Sequence, residues 1–303
     1  MQNKSKYIGI GLALLAVIIW SGNFIAARGV IRQIPPAGLA FYRWVSATVI
    51  LLPFVWTRTR REWPIIRKHL PYFFWTSLAG VTLFNTFVYV GAHFTTAINL
   101  ALIGTTSSPI IAIILARIFL KERLDILKIA GVAICVMGVL FLLSKGDWHN
   151  LVGFRFTEGD GWILLAATCF AVYNTMVKKK PLGVSSGSFL LVTFVMGTLL
   201  LAPYFVWESM HHPPVAWNGD LLLIVLYLGL GASIISLLCW NYAISKLGAG
   251  RTALFGNLIP IFSSIEAAIL LHEEFTWVHT VSMVIVFLGI LLANWRILRK
   301  DAA

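Results

Sequence analysis

Pro-Ile-Ile-Ala-Ile-Ile-Leu-Ala-Arg-Ile-Phe-Leu-Lys-Glu-Arg at 109–123 aligns without a gap on Pro-Ile-Phe-Ser-Ser-Ile-Glu-Ala-Ala-Ile-Leu-Leu-His-Glu-Glu at 260–274, 151 positions later. Upstream, Ala92 falls on Ala243 and Tyr89 on Trp240; downstream, Gly138 falls on Gly289. At the front of the two copies Leu14-Leu15-Ala16 matches Leu164-Leu165-Ala166, and Pro53 matches Pro203. A self-match at a spacing of 150 at the front and 151 thereafter is an internal duplication. The copies divide the chain into a first unit over 1–145 and a second over 146–303.

Each copy is built of long apolar runs. Of the 303 residues 59% are hydrophobic and 12% charged, with a mean hydropathy of +0.85. A soluble domain is about 45–50% apolar, so the composition is that of an integral membrane protein. Ten stretches approach the roughly 20 apolar residues that a helix needs to cross the hydrocarbon core: 8–29, 37–56, 71–93, 97–120, 126–143, 161–177, 186–207, 221–243, 252–271 and 277–297. The runs are continuous and do not alternate with a period of two, which argues against a transmembrane barrel. Lys4 and Lys6 precede a run too long for a secretory signal, so 8–29 reads as the first span. The expected fold is an all-α polytopic membrane protein of ten transmembrane helices. Five spans per copy make the copies two inverted five-helix repeats, a pattern of secondary transporters.

The net charge of +12 is sorted by membrane side. One set of segments carries Lys4, Lys6, the basic cluster from Arg58 to Lys68, Arg117, Lys121, Arg123, Lys128, Lys178 to Lys180, Lys246, Arg251, Arg296, Arg299 and Lys300; the other carries Arg28, Arg32, Lys145 and Arg155. The positive-inside rule places both termini in the cytoplasm. The charge is thereby accounted for without nucleic acid as a partner.

Several classes are disfavoured by what the sequence lacks. It contains no G-x-x-x-x-G-K-[ST] phosphate loop and no H-E-x-x-H motif. Cys135, Cys169 and Cys239 all fall inside spans and read as packing residues, with no disulfide framework. His211-His212 before Pro213-Pro214 reads as a solvated turn. No catalytic group, cofactor or metal is therefore expected. An intramembrane enzyme would have to act without a catalytic cluster, and a scaffold or receptor would have no use for paired helix kinks.

The patterns Leu120-Lys-Glu-Arg-Leu and Leu271-His-Glu-Glu-Phe, each followed by a glycine-containing span, resemble the drug/metabolite transporter superfamily in its EamA branch. So do Trp20-Ser21-Gly22-Asn23-Phe24 and Phe41-Tyr42-Arg43-Trp44. The resemblance covers 8–297, and within the branch the chain looks most like the YddG-type exporters of aromatic and other amino acids. It implies ten helices around a central cavity between inverted halves, in the cell inner membrane, and export by alternating access. It also implies amino acids as the small-molecule partners, with membrane lipids around the chain; the oligomeric state stays open. The same fold exporting cationic drugs or other hydrophobic metabolites is the alternative. The small multidrug relatives carry a proton-coupling carboxylate in the first span; 8–29 has none.

Candidate cavity residues follow from helical spacing. Asn85, Tyr89 and His93, four apart, form one stripe, and Asn99 opens the next span. Trp240 and Asn241 occupy the matched span of the second copy. Trp20 and Asn23 in the first span match Phe170, Tyr173 and Asn174 in the sixth. Mid-membrane rings and amides suit a zwitterion, since amides bond both its ammonium and its carboxylate; packing between spans is the alternative use of the same groups. Asn257 lies near the ninth-span kink, whose freed carbonyls would hold an ammonium. Gly104 with Pro109, and Gly256 with Pro260, are the expected hinges, because proline removes a helix hydrogen bond. Arg43 and Glu266, at similar depth from the outer side, are a candidate gate or coupling pair unless each snorkels to the interface.

Overall fold

The computed structural model describes residues 2–30, 33–94, 97–122, 126–147, 149–152, 157–270 and 275–299. Regular structure among them is helical, with no strand. In lipid every backbone N–H and C=O must be satisfied within the chain, and a helix does so segment by segment.

The helices are α1 (Gln2–Val30), α2 (Pro36–Lys68), α3 (Leu70–Ser77), α4 (Phe84–Phe94), α5 (Ala97–Leu120), α6 (Ile126–Leu143), a single turn α7 (His149–Val152), α8 (Glu158–Lys178), α9 (Ser186–His211), α10 (Gly219–Tyr227), α11 (Ser236–Leu247), α12 (Ala249–Leu254), α13 (Ile259–Leu270) and α14 (Trp277–Arg299). Among the described residues seven stretches are long and apolar enough to cross a membrane: Ser5–Asn23, Pro36–Lys68, Ile126–Leu143, Glu158–Lys178, Ser186–His211, Gly219–Leu247 and Trp277–Trp295. The stretches expected at 71–93 and 97–120 are helical as well, as is that expected at 252–271 as far as Leu270. The first runs from α3 to α4 through a π segment, Leu78–Leu83, and the last from α12 to α13 through a 3-10 turn, Phe255–Leu258. A second π segment, Leu228–Ile235, joins α10 to α11.

Start signals are local. Pro36 opens α2, where its missing N–H costs nothing. Asn218 Oδ1 accepts from Leu221 N (2.8 Å) at the head of α10, and Asp160 Oδ2 accepts from Thr157 N (2.7 Å) at the head of α8. Other helix starts are capped from a distance. Glu208, near the end of α9, accepts from Ala37 N (3.1 Å) and Gly38 N (2.8 Å) in the first turn of α2. Glu62, near the end of α2, accepts from Ser185 N (2.9 Å) just before α9. Glu122, just past α5, accepts from Ala249 N (3.1 Å) at the start of α12 and pairs with buried Lys128 at 3.2 Å.

α2 and α9 lie antiparallel. Following α2 from Gly38 through Phe41 and Trp44 to Thr59, the partners on α9 run backwards through Glu208, Phe205, Phe194 and Ser188. Trp44 and Phe194, 150 positions apart, touch ring to ring at 5.0 Å. α6 and α14 are likewise antiparallel: Gly131 meets Gly289 and Ala293, whereas Gly138 meets Val286 and Ile285. A Cβ on Gly131 would stand 2.5 Å from Gly289 O, so only glycine permits this backbone approach. Cys135 Sγ lies 3.5 Å from Val286 O, again between positions 151 apart.

Packing repeats at the same offset. α1 lies on α11 as α8 lies on α4; α1 lies on α13 as α8 lies on α5; and α2 packs on the second π segment as α9 packs on the first. Large apolar side chains such as Phe54, Ile118, Leu199, Leu223 and Leu288 cover the outside, where lipid tails solvate them.

Candidate functional site

The interior of the molecule holds a cluster of rings drawn from both halves. Phe170 of α8 is its hub: the ring lies 5.8 Å from Trp20 of α1, 4.9 Å from Phe84 of α4, 6.1 Å from Tyr173 and 6.1 Å from Trp240 of α11. Trp20 and Trp240 touch directly, with centroids at 4.9 Å. Stacked and edge-on pairs at such distances add about 0.5–1.5 kcal/mol each beyond area burial. Phe84 is the member that helical spacing does not single out, since nothing distinguishes it from the chain's other phenylalanines.

Amides sit among the rings. Trp240 Nε1 donates to Asn174 Oδ1 at 2.9 Å. The Asn174 amide nitrogen is buried and has no acceptor. Leaving such a donor unmade costs about 1–3 kcal/mol in a dry interior, so a group that brings an oxygen to Asn174 would recover it. Tyr173 OH lies 3.1 Å from Asn241 Oδ1 and 3.0 Å from Asn241 Nδ2. The Tyr173 ring lies over Gly80 of the first π segment, where a Cβ would come within 2.2 Å of it. Asn85, one turn beyond that glycine, is buried and donates to Val81 O at 3.0 Å.

The second π segment explains the other edge of the cluster. Widening a helical turn turns carbonyls away from the regular ladder. Ala232 O accepts from Trp20 Nε1 (2.8 Å) and from Arg43 Nη2 (3.2 Å). Arg43, only 7% exposed, also donates from Nε to Ser233 Oγ (2.8 Å) and from Nη1 to Asn23 Oδ1 (3.5 Å), with its guanidinium 4.9 Å from the Trp44 ring. It points inward to α1 and the π segment, not outward to the interface.

Glu266 of α13 reaches the same part of α1. Ser21 Oγ donates to Glu266 Oε1 at 2.7 Å, while Glu266 Oε2 is buried without a hydrogen-bond partner. Ser263 Oγ donates to Ser21 O (3.2 Å), and Tyr227 OH to Ile19 O (2.7 Å). Residues 19–23 of α1 are thus held by α2 and the π segment on one side and by α13 on the other.

The structure therefore brings Trp20, Tyr173, Asn174, Trp240 and Asn241 together, with Asn23 joined through Arg43. Asn257 lies in the 3-10 turn, fully buried, with both amide atoms unpartnered. The side chains of Tyr89, His93 and Asn99 lie outside the described residues. Pro109, with Gly104 a turn before it, sits inside a continuous α5; Gly256 lies in the 3-10 turn and Pro260 in the first turn of α13.

A family model described as "EamA-like transporter family" matches the chain twice, over residues 7–144 and 157–295. Its relatives include an "Uncharacterized transporter" of Archaeoglobus fulgidus, 27% identical over 93% of this chain and 96% of that one. A "Probable amino-acid metabolite efflux pump" of Escherichia coli is 25% identical over 94% of this chain and 95% of its own. A "Probable terminal-alkyne amino-acid exporter" of Streptantibioticus cattleyicolor is 26% identical over 96% and 95%. One crystal structure superposes with a TM-score of 0.75 over 98% of this chain and 99% of that chain at 16% identity, a likeness of fold.

Proposed function

We propose, on the premise that this chain belongs to the EamA-like transporter family, that it exports amino acids across the cell inner membrane by alternating access. Transport of amino-acid-like compounds by a multi-pass membrane protein accords with the relatives named as efflux pump and exporter. In this reading ten spans form two inverted repeats, 1–145 and 146–303, with both termini cytoplasmic. The antiparallel packing of α2 on α9 and of α6 on α14, at positions 150 or 151 apart, supports that reading, as do the two family matches. A pseudo-twofold axis would pass between Trp44 and Phe194 and between Cys135 and Val286.

The observation that carries the substrate assignment is the ring-and-amide cluster around Phe170. Trp20, Tyr173 and Trp240 would receive an apolar or aromatic side chain, and the Asn174 amide nitrogen the carboxylate; Asn23, Asn85 and Asn241 border that space. Tyr89, His93, Asn99 and Asn257 complete the proposed set. Few fixed charges face the cluster, so we propose broad specificity that includes aromatic amino acids, as in YddG-type exporters. Because Tyr173, Asn174, Trp240 and Asn241 are buried, substrate entry requires the α1–α11 and α4–α8 contacts to part. Gly104 with Pro109 and Gly256 with Pro260 are the proposed hinges. Arg43 and Glu266, both bound to residues 21–23 of α1, are the proposed gate.

The test is uptake of labelled amino acids into liposomes holding the purified protein, with unlabelled amino acids or a lipophilic cation as competitors. Flux that amino acids compete away, and that Trp240→Ala abolishes, is expected. Flux of the cation alone would move the protein to the drug-exporter alternative.

A further inference from the structure

The end of the molecule where α1 finishes and α2 begins carries a pocket of about 500 Å³ between the head of α2, the tail of α9 and the 212–217 stretch. His212, Pro213 and Pro214, which read from sequence as a solvated turn, form part of its wall. Three further walls are aromatic. Tyr42 stands nearly perpendicular to Trp217 (4.9 Å, 82°) and to Phe205 (5.5 Å, 76°), so the rings form corners. The pocket is distinct from the Phe170 cluster.

Its other notable wall is Glu208. The side chain is only 5% exposed yet lines the pocket. Each carboxylate oxygen accepts one backbone N–H from α2, which leaves a further acceptor position on each. The positive end of the α2 dipole is about half a charge, too little to neutralise a full carboxylate. Among the described residues no lysine or arginine lines the pocket. A phosphate or carboxylate ligand would meet repulsion here, and a purely apolar ligand would strip water from Glu208 without replacing it.

We propose that this pocket is a second binding site, for an organic ammonium group, held between the Tyr42, Phe205 and Trp217 rings and the Glu208 carboxylate. Ring faces attract a cation within about 6 Å of the centroid, and the attraction grows when water is excluded. The inference does not depend on what the central cluster transports.

Titration calorimetry of the full chain in detergent with benzyltrimethylammonium tests it. Saturable binding is expected, weakened about tenfold in Trp217→Leu and in Glu208→Gln and unchanged in Trp240→Ala. Trp217 is half-exposed, so its replacement keeps the fold and decides the matter if Glu208→Gln melts early. No saturable binding by the wild type would overturn the site. So would binding that survives Trp217→Leu but fails in Trp240→Ala. Competition by phenethylamine and phenylalanine then separates the sources. Equal competition marks the ammonium of an exported zwitterion, competition by the amine alone marks an external amine, and competition by neither overturns the assignment.

Discussion

Trp240 combines a ring that packs on Trp20 and Phe170 with an indole N–H given to Asn174, and two substitutions separate these roles. Trp240→Phe keeps a ring and loses the bond, a cost of about 1–2 kcal/mol; Trp240→Ala also opens a cavity and should cost about 3–5 kcal/mol. Thermal melts of the purified protein read the difference, and liposome flux should fall in part for Phe and entirely for Ala. Arg43→Lys is not conservative here. The guanidinium reaches Ser233, Ala232 O and Asn23 in three directions, which one ammonium cannot copy. A loss of about 1–3 kcal/mol in the same melts is expected, with little rescue relative to Arg43→Met. At this scale the sequence disclosed the rings and amides that converge, because Trp, Tyr and Asn are conspicuous in an apolar span. Phe84 carried no such mark, and the inward turn of Arg43 depends on a carbonyl that no side-chain pattern announces.

The helices themselves were legible from apolar runs bounded by basic connections, but the three further turns by which α2 outruns its apolar stretch, through Pro64 to Lys68, were not. The π segments were not legible. A widened turn differs from an α turn by a single extra residue, and its composition is ordinary. Yet Leu228–Ile235 positions Ala232 O for both Trp20 and Arg43. Deleting the exposed Leu230 should let this segment close into α-helix while the flanks keep their faces. The variant is expected to insert and purify normally, to melt as if it had lost about 1–3 kcal/mol, and to lack flux. Normal flux in ΔLeu230 would show that the π geometry has no part in transport. Gly80→Val makes the complementary test on the first π segment, since its Cβ would collide with the Tyr173 ring. A lowered melting temperature and weakened amino-acid competition are expected.

Across the whole molecule, the proposed orientation places Lys68 at the cytoplasmic face and Asn218 at the opposite one. With the native cysteines replaced by alanine, a membrane-impermeant maleimide should label Asn218→Cys in spheroplasts and reach Lys68→Cys only after permeabilisation. The duplication was legible because it sits in the order of residues. The reciprocal end contacts of α2 and α9 were not, since they join glutamates to backbone N–H groups far along the chain. Those contacts have a consequence for biogenesis. Ala37 and Gly38 emerge from the ribosome about 170 residues ahead of the Glu208 that receives their N–H groups. At about 5–20 residues per second, the head of α2 waits roughly 10–30 seconds in the membrane before its cap arrives. The second half of the chain then finishes a helix of the first, and Glu62 returns the service at Ser185. A fragment of residues 1–145 made alone should be degraded rapidly, and co-synthesis of 146–303 should rescue it.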